Sequence, residues 1–254
     1  MALGKVNNIE ADSFTKVAEF YDELMKPVPY RMWVSYYLLL LSMQEVKPKS
    51  MLDMCCGTGT MTEYMHREGF EVEGFDLSAD MIEQARLKAA KKKIPLRFEV
   101  ADAATVDMGR TYDAVFSFFD SFNNIVDAEQ LQKAFHSAYR HLVPGGSFIF
   151  DMNTQYAFQA KLFNQQDLAK TTKVRYRWRG EWDPKTRLIH VTMKFWVGDQ
   201  VFEELHIQRA YGLEDTLDML IEAGFKEIKF FHSYTLQPPR EKSDRIHFTA
   251  IRPK

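Results

Sequence analysis

Met51-Leu52-Asp53-Met54-Cys55-Cys56-Gly57-Thr58-Gly59-Thr60 decides how the rest of this 254-residue chain is read. Its first four residues form a short run, apolar except for Asp53, of a length that suits a buried strand. Gly57 and Gly59 follow at once, and a segment that can hold a helix, Met61 to His66, begins directly after them. Two glycines let the backbone turn sharply and let a ligand approach it closely. The helix start beyond them offers N–H groups that no intrahelical carbonyl takes. A Gly-x-Gly turn alone is weak evidence; the segments around it carry the reading.

Working outward, short apolar runs recur at Val72–Phe75, Leu96–Val100, Ala114–Phe118 and Ser147–Met152, separated by segments that can hold helices. Strand and helix in alternation predict a parallel sheet covered on both faces, with right-handed crossovers. Asp76 ends the second run, nineteen residues after Gly57. That is close to the distance at which a carboxylate meets a ribose in a βαβ nucleotide site. Asp102 closes the third run. Ligands of open α/β sheets bind at the ends of neighbouring strands, so Asp53, Asp76 and Asp102 should face one crevice. Each alone could be a simple strand-end or helix-cap carboxylate; three at successive strand ends point to a site.

The flanking stretches differ in pattern. From about Ala11 to Val46 the spacing of Phe14, Val17 and Tyr21, and of Trp33, Tyr36, Tyr37 and Leu40, predicts two helices parted by Pro27 and Pro29. From Lys173 to Tyr211 the period becomes two: Val174, Tyr176 and Trp178 alternate with Arg175, Arg177 and Arg179, and Ile189 to Val197 alternates likewise. Turn signals at Asp183-Pro184 and Gly198-Asp199 complete an antiparallel meander. Leu213 to Ala223 reads as an amphipathic helix closed by Gly224, before strands at Lys226–Ser233 and Arg245–Arg252. The expected architecture is α/β: a Rossmann-like, doubly wound, mostly parallel sheet with an N-terminal helical cap and an inserted antiparallel β lid. The expected divisions are 1–46 for the cap, 47–153 with 212–254 for the core, and 154–211 for the lid.

Composition narrows the partners. With 33 Lys+Arg against 35 Asp+Glu the net charge is −2, without the basic excess of a duplex-binding protein. Lys91-Lys92-Lys93 reads as a solvated run. Cys55 and Cys56 are adjacent, which offers no ordinary disulfide framework and suits a reducing compartment. The apolar stretch from Trp33 to Met43 falls short of the ~20 residues that span a bilayer. The expectation is a cytoplasmic chain with no leader, no membrane partner and no nucleic-acid partner. Aromatic residues make up 14% of the chain, enough for either core or pocket walls.

Two ligand classes fit a glycine turn of this kind. A dinucleotide fingerprint wants a small residue where Thr62 stands, and a pyrophosphate at the helix start. Asp53, just ahead of the turn, would repel that pyrophosphate but suits an amino-acid moiety with a cationic amine. S-adenosylmethionine is therefore favoured over a nicotinamide dinucleotide.

At this point the sequence resembles the class I S-adenosylmethionine-dependent methyltransferases. Asp53-Met54-Cys55-Cys56-Gly57-Thr58-Gly59 is similar to their first motif, Gly74-Phe75-Asp76-Leu77-Ser78-Ala79-Asp80-Met81 to their second strand and helix, and Ala101-Asp102-Ala103 to their adenine-contacting segment. The likeness continues through Tyr112-Asp113-Ala114-Val115, Phe118 to Asn124 and Leu142-Val143-Pro144-Gly145-Gly146. It implies that Gly57 and Gly59 let the methionyl part lie against the backbone with Asp53 near its amino group. Asp76 would hold the ribose diol, Leu77 and Met81 would flank the adenine, and Asp102 with the Ala103 N–H would bind its edge. Phe118 or Phe119 would face the methionine moiety through backbone groups. Cys56, within the turn, reads as a packing residue and not as a nucleophile.

No Asn-Pro-Pro-Tyr or Asp-Pro-Pro-Tyr segment follows the fourth strand, and no Pro-Cys pair supplies a thiolate. The Tyr21-Asp22 segment and the meander are similar to small-molecule N-methyltransferases such as glycine N-methyltransferase and the deoxyamino-sugar N,N-dimethyltransferases. That likeness implies a small-molecule acceptor, an amine by preference, with Tyr21, Tyr30 and Arg31 closing over the cofactor carboxylate and the methyl group, and Tyr21 as a catalytic candidate. Among the candidates for handling the acceptor's proton are Asp120 and His206, with His232 and His247 as further strand histidines. An RNA-directed methyltransferase, a non-catalytic cofactor sensor and, more distantly, a nicotinamide oxidoreductase stand as alternatives. No metal is expected, and the oligomeric state stays open, a homodimer included.

Overall fold

The computed structural model describes residues 14–254. In chain order the elements are α1 (Ala18–Leu24), α2 (Tyr30–Met43), β1 (Ser50–Met54), α3 (Thr60–Arg67), β2 (Glu71–Asp76), α4 (Ala79–Lys92), β3 (Arg97–Val100) and β4 (Tyr112–Ser117). A short 3-10 turn (Ser121–Asn124) leads to α5 (Ala128–Arg140), β5 (Leu142–Asn153), α6 (Gln155–Gln159) and β6 (Gln166–Asp167). Then come β7 (Val174–Asp183), β8 (Leu188–Val197), β9 (Gln200–Arg209), α7 (Leu213–Glu222), β10 (Lys226–His232) and β11 (Arg245–Ile251).

Seven strands form one sheet in the order β10-β11-β5-β4-β1-β2-β3, and β6-β7-β8-β9 form a second, antiparallel sheet. β1 pairs in parallel with β2 on one side and β4 on the other, so the chain order reverses beside β1. That reversal opens the crevice where ligands of such sheets bind. β11 runs antiparallel to both β5 and β10. The expected architecture, a Rossmann-like core with a helical cap and an antiparallel lid, is the one observed.

Alternation along the strands feeds two cores. On one face Phe148, Phe150 and Phe248 pack with Phe122, Phe135 and Phe225 beneath α5 and α7. On the other, Phe116 and Ile149 pack against Tyr37, Leu40 and Leu41 of α2. A third cluster joins the sheets: Val17 and Ala18 at the start of α1 meet Met81 of α4 and Val174 and Phe195 of the lid. Asn123, fully buried, ties the lid down. Its Nδ2 donates to the carbonyls of Asn153 (3.1 Å) and Arg209 (2.8 Å), and its Oδ1 accepts from the Asn153 N–H (2.9 Å).

The elements depart locally from the sequence reading at several places. Of the stretch read as helical from about Ala11, residues 11–13 lie outside the described residues, residues 14–17 form a turn, and α1 starts at Ala18. Glu204 of β9 takes the N–H groups of Val17 (2.9 Å) and Phe14 (3.2 Å), and Phe14 adopts a φ of +63°. The fourth strand ends at Ser117, because Phe119 and Asp120 turn into the left-handed region (φ +68° and +48°). The Leu142 to Gly146 segment joins β5, paired with β4 across a register shift.

Candidate active site

The glycine turn sits where β1 meets α3. Gly57 (φ +53°) and Gly59 (φ +72°) both need left-handed backbone, yet their surroundings differ. A Cβ on Gly59 would stand 2.6 Å from the Phe98 ring, so this glycine serves close packing of the turn on β3. Nothing lies within 4 Å of where a Cβ on Gly57 would be, so this side of the turn faces open space. Cys56 packs with Ile82, Ala85 and Phe98, and its sulfur would meet a Cβ placed on Gly74 at 2.9 Å. It is a packing residue.

The three strand-end carboxylates do share one neighbourhood. Asp53, Asp76 and Asp102 all act electrostatically on the Cys55 thiol, which burial first of all pushes well above its ordinary range. Asp53 is buried and accepts from Thr62 Oγ1 at 2.6 Å. Burial pushes its carboxyl up to about 8, against the pull of the Thr62 hydrogen bonds, with Asp76 adding repulsion. Asp76 accepts from the Gly57 N–H (2.8 Å) and the Ser78 N–H (2.9 Å), and burial raises its carboxyl too. Asp102 is exposed two residues beyond β3 and caps the Ala104 N–H at 2.8 Å, with Ala103 buried beside it. Leu77 is exposed at the rim, whereas Met81 is buried under α1.

Of the three groups read as catalytic, Tyr21 and Asp120 come together and His206 is engaged elsewhere. Burial holds the Tyr21 phenol well above its ordinary range, with Tyr30, Asp120, Asp76 and Asp22 adding to the effect in that order. The phenol therefore stays protonated and looks onto both ends of the crevice. Asp120 has both oxygens committed: Oδ1 accepts from Arg245 (2.7 Å) and Oδ2 from Gln208 of the lid (2.8 Å). His206, buried on β9, is bonded through Nε2 to Glu204 at 2.8 Å and meets the edge of the Phe14 ring. Burial works to raise the Glu204 carboxyl, but its bonds from His206 and Val17 outweigh that and hold it low. His206 thus braces the start of α1.

Aromatic rings wall one side of the crevice. Trp33 lies 4.0 Å from Phe119 and 5.1 Å from Tyr234 between ring centres, and Tyr30 lies 5.4 Å from Phe119. Phe118 turns the other way, into the core beside Tyr37. Arg31 is exposed on the first turn of α2. Behind Asp120, Arg245 also meets buried Asp151. His247 is buried among Tyr36, Tyr234 and Phe118, and burial holds it neutral. Sequence reasoning missed Gln208, Arg245, Trp33 and Tyr234 as site residues. Trp33 carried a helix-spacing signal, but the others reach the crevice through the tertiary fold alone.

Gln208 meets Asp120 with its side-chain amide. A carboxylate can only accept, so the amide must turn its NH2 toward Asp120. Its Oε1 is then left buried without a partner.

Known proteins place this arrangement. Residues 51–146 match the family described as a methyltransferase domain. YqeM of Bacillus subtilis, a methyltransferase by name, is 30% identical over 93% of this chain and 96% of its own length. An N,N-dimethyltransferase of Streptomyces venezuelae, named for dTDP-3-amino-3,4,6-trideoxy-alpha-D-glucopyranose, is 35% identical over 40% of this chain and 41% of its own. The crystal structure of an S-adenosylmethionine-dependent methyltransferase from Clostridium acetobutylicum superposes with a TM-score of 0.83 at 26% identity, covering 95% of this chain and 99% of that one. With its glycine turn, its ring of carboxylates and these relatives, the chain belongs to the S-adenosylmethionine-dependent methyltransferases.

Proposed function

We propose that the acceptor is a small-molecule amine, methylated in the crevice between the ends of β1 and β4 and the lid. The observation that carries this reading is the unpartnered Oε1 of Gln208 beside Asp120, which asks for a hydrogen-bond donor such as an amine N–H. The rings of Trp33, Tyr30, Phe119 and Tyr234 suit the positive charge that develops on a neutral amine nitrogen as it takes the methyl group from sulfur, the surplus proton then leaving to water. The relatives that act by name on amino sugars support the same acceptor class.

The residues present suit the cofactor. Gly57 leaves room against the backbone, and with Gly59 shapes the turn for the methionyl part. Asp53 stands ready for a cationic amine, and Asp76 for a diol. Leu77 at the rim and Met81 beneath it would flank the adenine, with Asp102 and the Ala103 N–H at its edge. Backbone groups of Phe118 and Phe119 would border the methionine moiety, and Tyr30 and Arg31 its carboxylate side. When bound, S-adenosylmethionine supplies a sulfonium methyl group open to in-line attack. The chain's part is alignment and exclusion of water. Asp120 orients Gln208, and the protonated Tyr21 phenol is a donor and not a base.

No helix among the described residues is long and apolar enough to cross a membrane, and Cys55 and Cys56 are free thiols, which supports a cytoplasmic placement. One observation favours a second acceptor class. Arg175, Arg177, Arg179 and Lys194 line the outer face of the lid, with Arg177 and Lys194 5.9 and 5.7 Å from the Trp196 ring. That face suits a single-stranded RNA. It points away from Gln208 and His206, because Trp196 and Lys194 alternate with the inward Phe195 and Val191.

Labelled methyl donor supplied with a panel of amines, alcohols, thiols and RNA tests the reading. Amine turnover that is lost in Gln208→Leu while cofactor binding persists is the expected result. Turnover confined to alcohols, thiols or RNA overturns it.

A further inference from the structure

The sequence pairs Tyr21 with Asp22, and the two side chains do different things. Tyr21 looks into the crevice. Asp22 turns the other way, onto the backbone turn that receives the cofactor. Its Oδ1 accepts from Thr58 Oγ1 at 2.5 Å and from Thr60 Oγ1 at 3.3 Å, and its Oδ2 from Lys88 Nζ at 2.8 Å. Lys88 closes the circle, donating to Thr60 Oγ1 at 2.8 Å and Thr58 Oγ1 at 3.4 Å. One carboxylate thus joins three elements: α1, the glycine turn with the first residue of α3, and α4.

α1 needs such a tie. It has seven residues, its start is held by Glu204 of the lid, and Pro27 and Pro29 follow it closely with no such tie at its other end but Asp22 among the described contacts. A helix this short does not hold itself in water. Its buried apolar anchors, Val17 and Ala18, lie at its first turn on Met81 and the lid, and Phe20, Tyr21 and Leu24 pack beside them only partly buried. Asp22 lies at its other end, over Thr58 and Thr60, so it sets how firmly α1 presses on the turn.

We propose that Asp22 is a positioning residue for cofactor retention: it pins α1 across the glycine turn, and bound S-adenosylmethionine leaves only when the Asp22 contacts to Thr58, Thr60 and Lys88 break. The Lys88 side chain is mostly covered, whereas that of Asp22 is 46% exposed. Salt therefore reaches the ion pair and loosens it. The inference rests on the cofactor class alone and is independent of which acceptor is methylated.

The test is the dissociation rate of labelled S-adenosylmethionine chased with excess S-adenosylhomocysteine. Asp22→Ala should speed release on the order of tenfold, as expected when a charged hydrogen-bonded partner is lost, with Asp22→Asn in between. Lys88→Met should behave like Asp22→Asn, and the double variant should be no faster than Asp22→Ala, because the two groups share one contact. Wild-type release should quicken between low salt and about 0.5 M, while Asp22→Ala should not respond. Equal release rates and equal salt responses in wild type and Asp22→Ala would overturn the proposal. So would a variant that melts earlier without its cofactor yet releases bound cofactor at the wild-type rate, since Asp22 would then be structural only.

Discussion

The Arg245 guanidinium stands 2.7 Å from Asp120 Oδ1 and meets Asp151 with its other nitrogen, so one cation at the start of β11 joins the ends of β4 and β5. Asp151 is fully buried, and the Asp120 N–H donates to it at 3.1 Å. This arrangement holds the left-handed backbone at Phe119 and Asp120, where residues with a Cβ are strained. Arg245→Met leaves the buried Asp151 carboxylate without its counter-charge, with only the Asp120 N–H still donating to it. It should lower the unfolding free energy by about 3–5 kcal/mol in a denaturant titration. A loss below about 1 kcal/mol would mean that the pair does not hold this turn.

Asp53 should make cofactor binding depend on pH. Burial pushes its carboxyl up to about 8, so it is largely neutral at pH 7 without ligand. A cationic amine prefers the ionised form, so affinity should rise with pH and level off above about 8. Stability runs the other way. The folded carboxyl keeps its proton where the unfolded chain has lost it, so stability without cofactor falls as pH rises from about 4 to about 8. Asp53→Asn should flatten both slopes relative to wild type. Calorimetry across that range checks the first, and thermal melts check the second.

The two glycines of the turn should separate folding from binding. Gly59→Ala drives a methyl into the Phe98 ring on a backbone of φ +72°, at a cost of about 3 kcal/mol of stability. Gly57→Ala meets no neighbour and should cost only about 1 kcal/mol, from its backbone conformation. Yet its methyl occupies the open side of the turn, so cofactor affinity should drop by about tenfold or more. Unchanged binding in Gly57→Ala would place the cofactor elsewhere.

Asn123 should be the tie between core and lid. Asn123→Ala leaves the buried carbonyl and N–H of Asn153 and the half-buried carbonyl of Arg209 unpaired, which should cost about 3 kcal/mol. Hydrogen exchange at the Asn153 amide should accelerate sharply in the variant. An amide that stays as protected as in wild type would show that water or a neighbour replaces the bond.

The sequence by itself determined the Rossmann-like sheet, the glycine turn with Asp53, Asp76 and Asp102 around it, and the two-residue period of the lid. These are local matters: strand and helix periods, glycine's reach into left-handed backbone, and carboxylates at the ends of runs are all set by neighbours along the chain. Distant groups add to them, as where Glu204 of β9 takes the N–H groups of Val17 and Phe14. The surroundings of Asp120 depend on the tertiary fold. Gln208, Arg245 and Asp120 are separated by up to 125 residues in the chain and meet because β9, β11 and the end of β4 converge. The same convergence committed both oxygens of Asp120 and turned His206 onto Glu204. A side chain's hydrogen-bond partners depend on what packs against it, and no pattern within one strand records that.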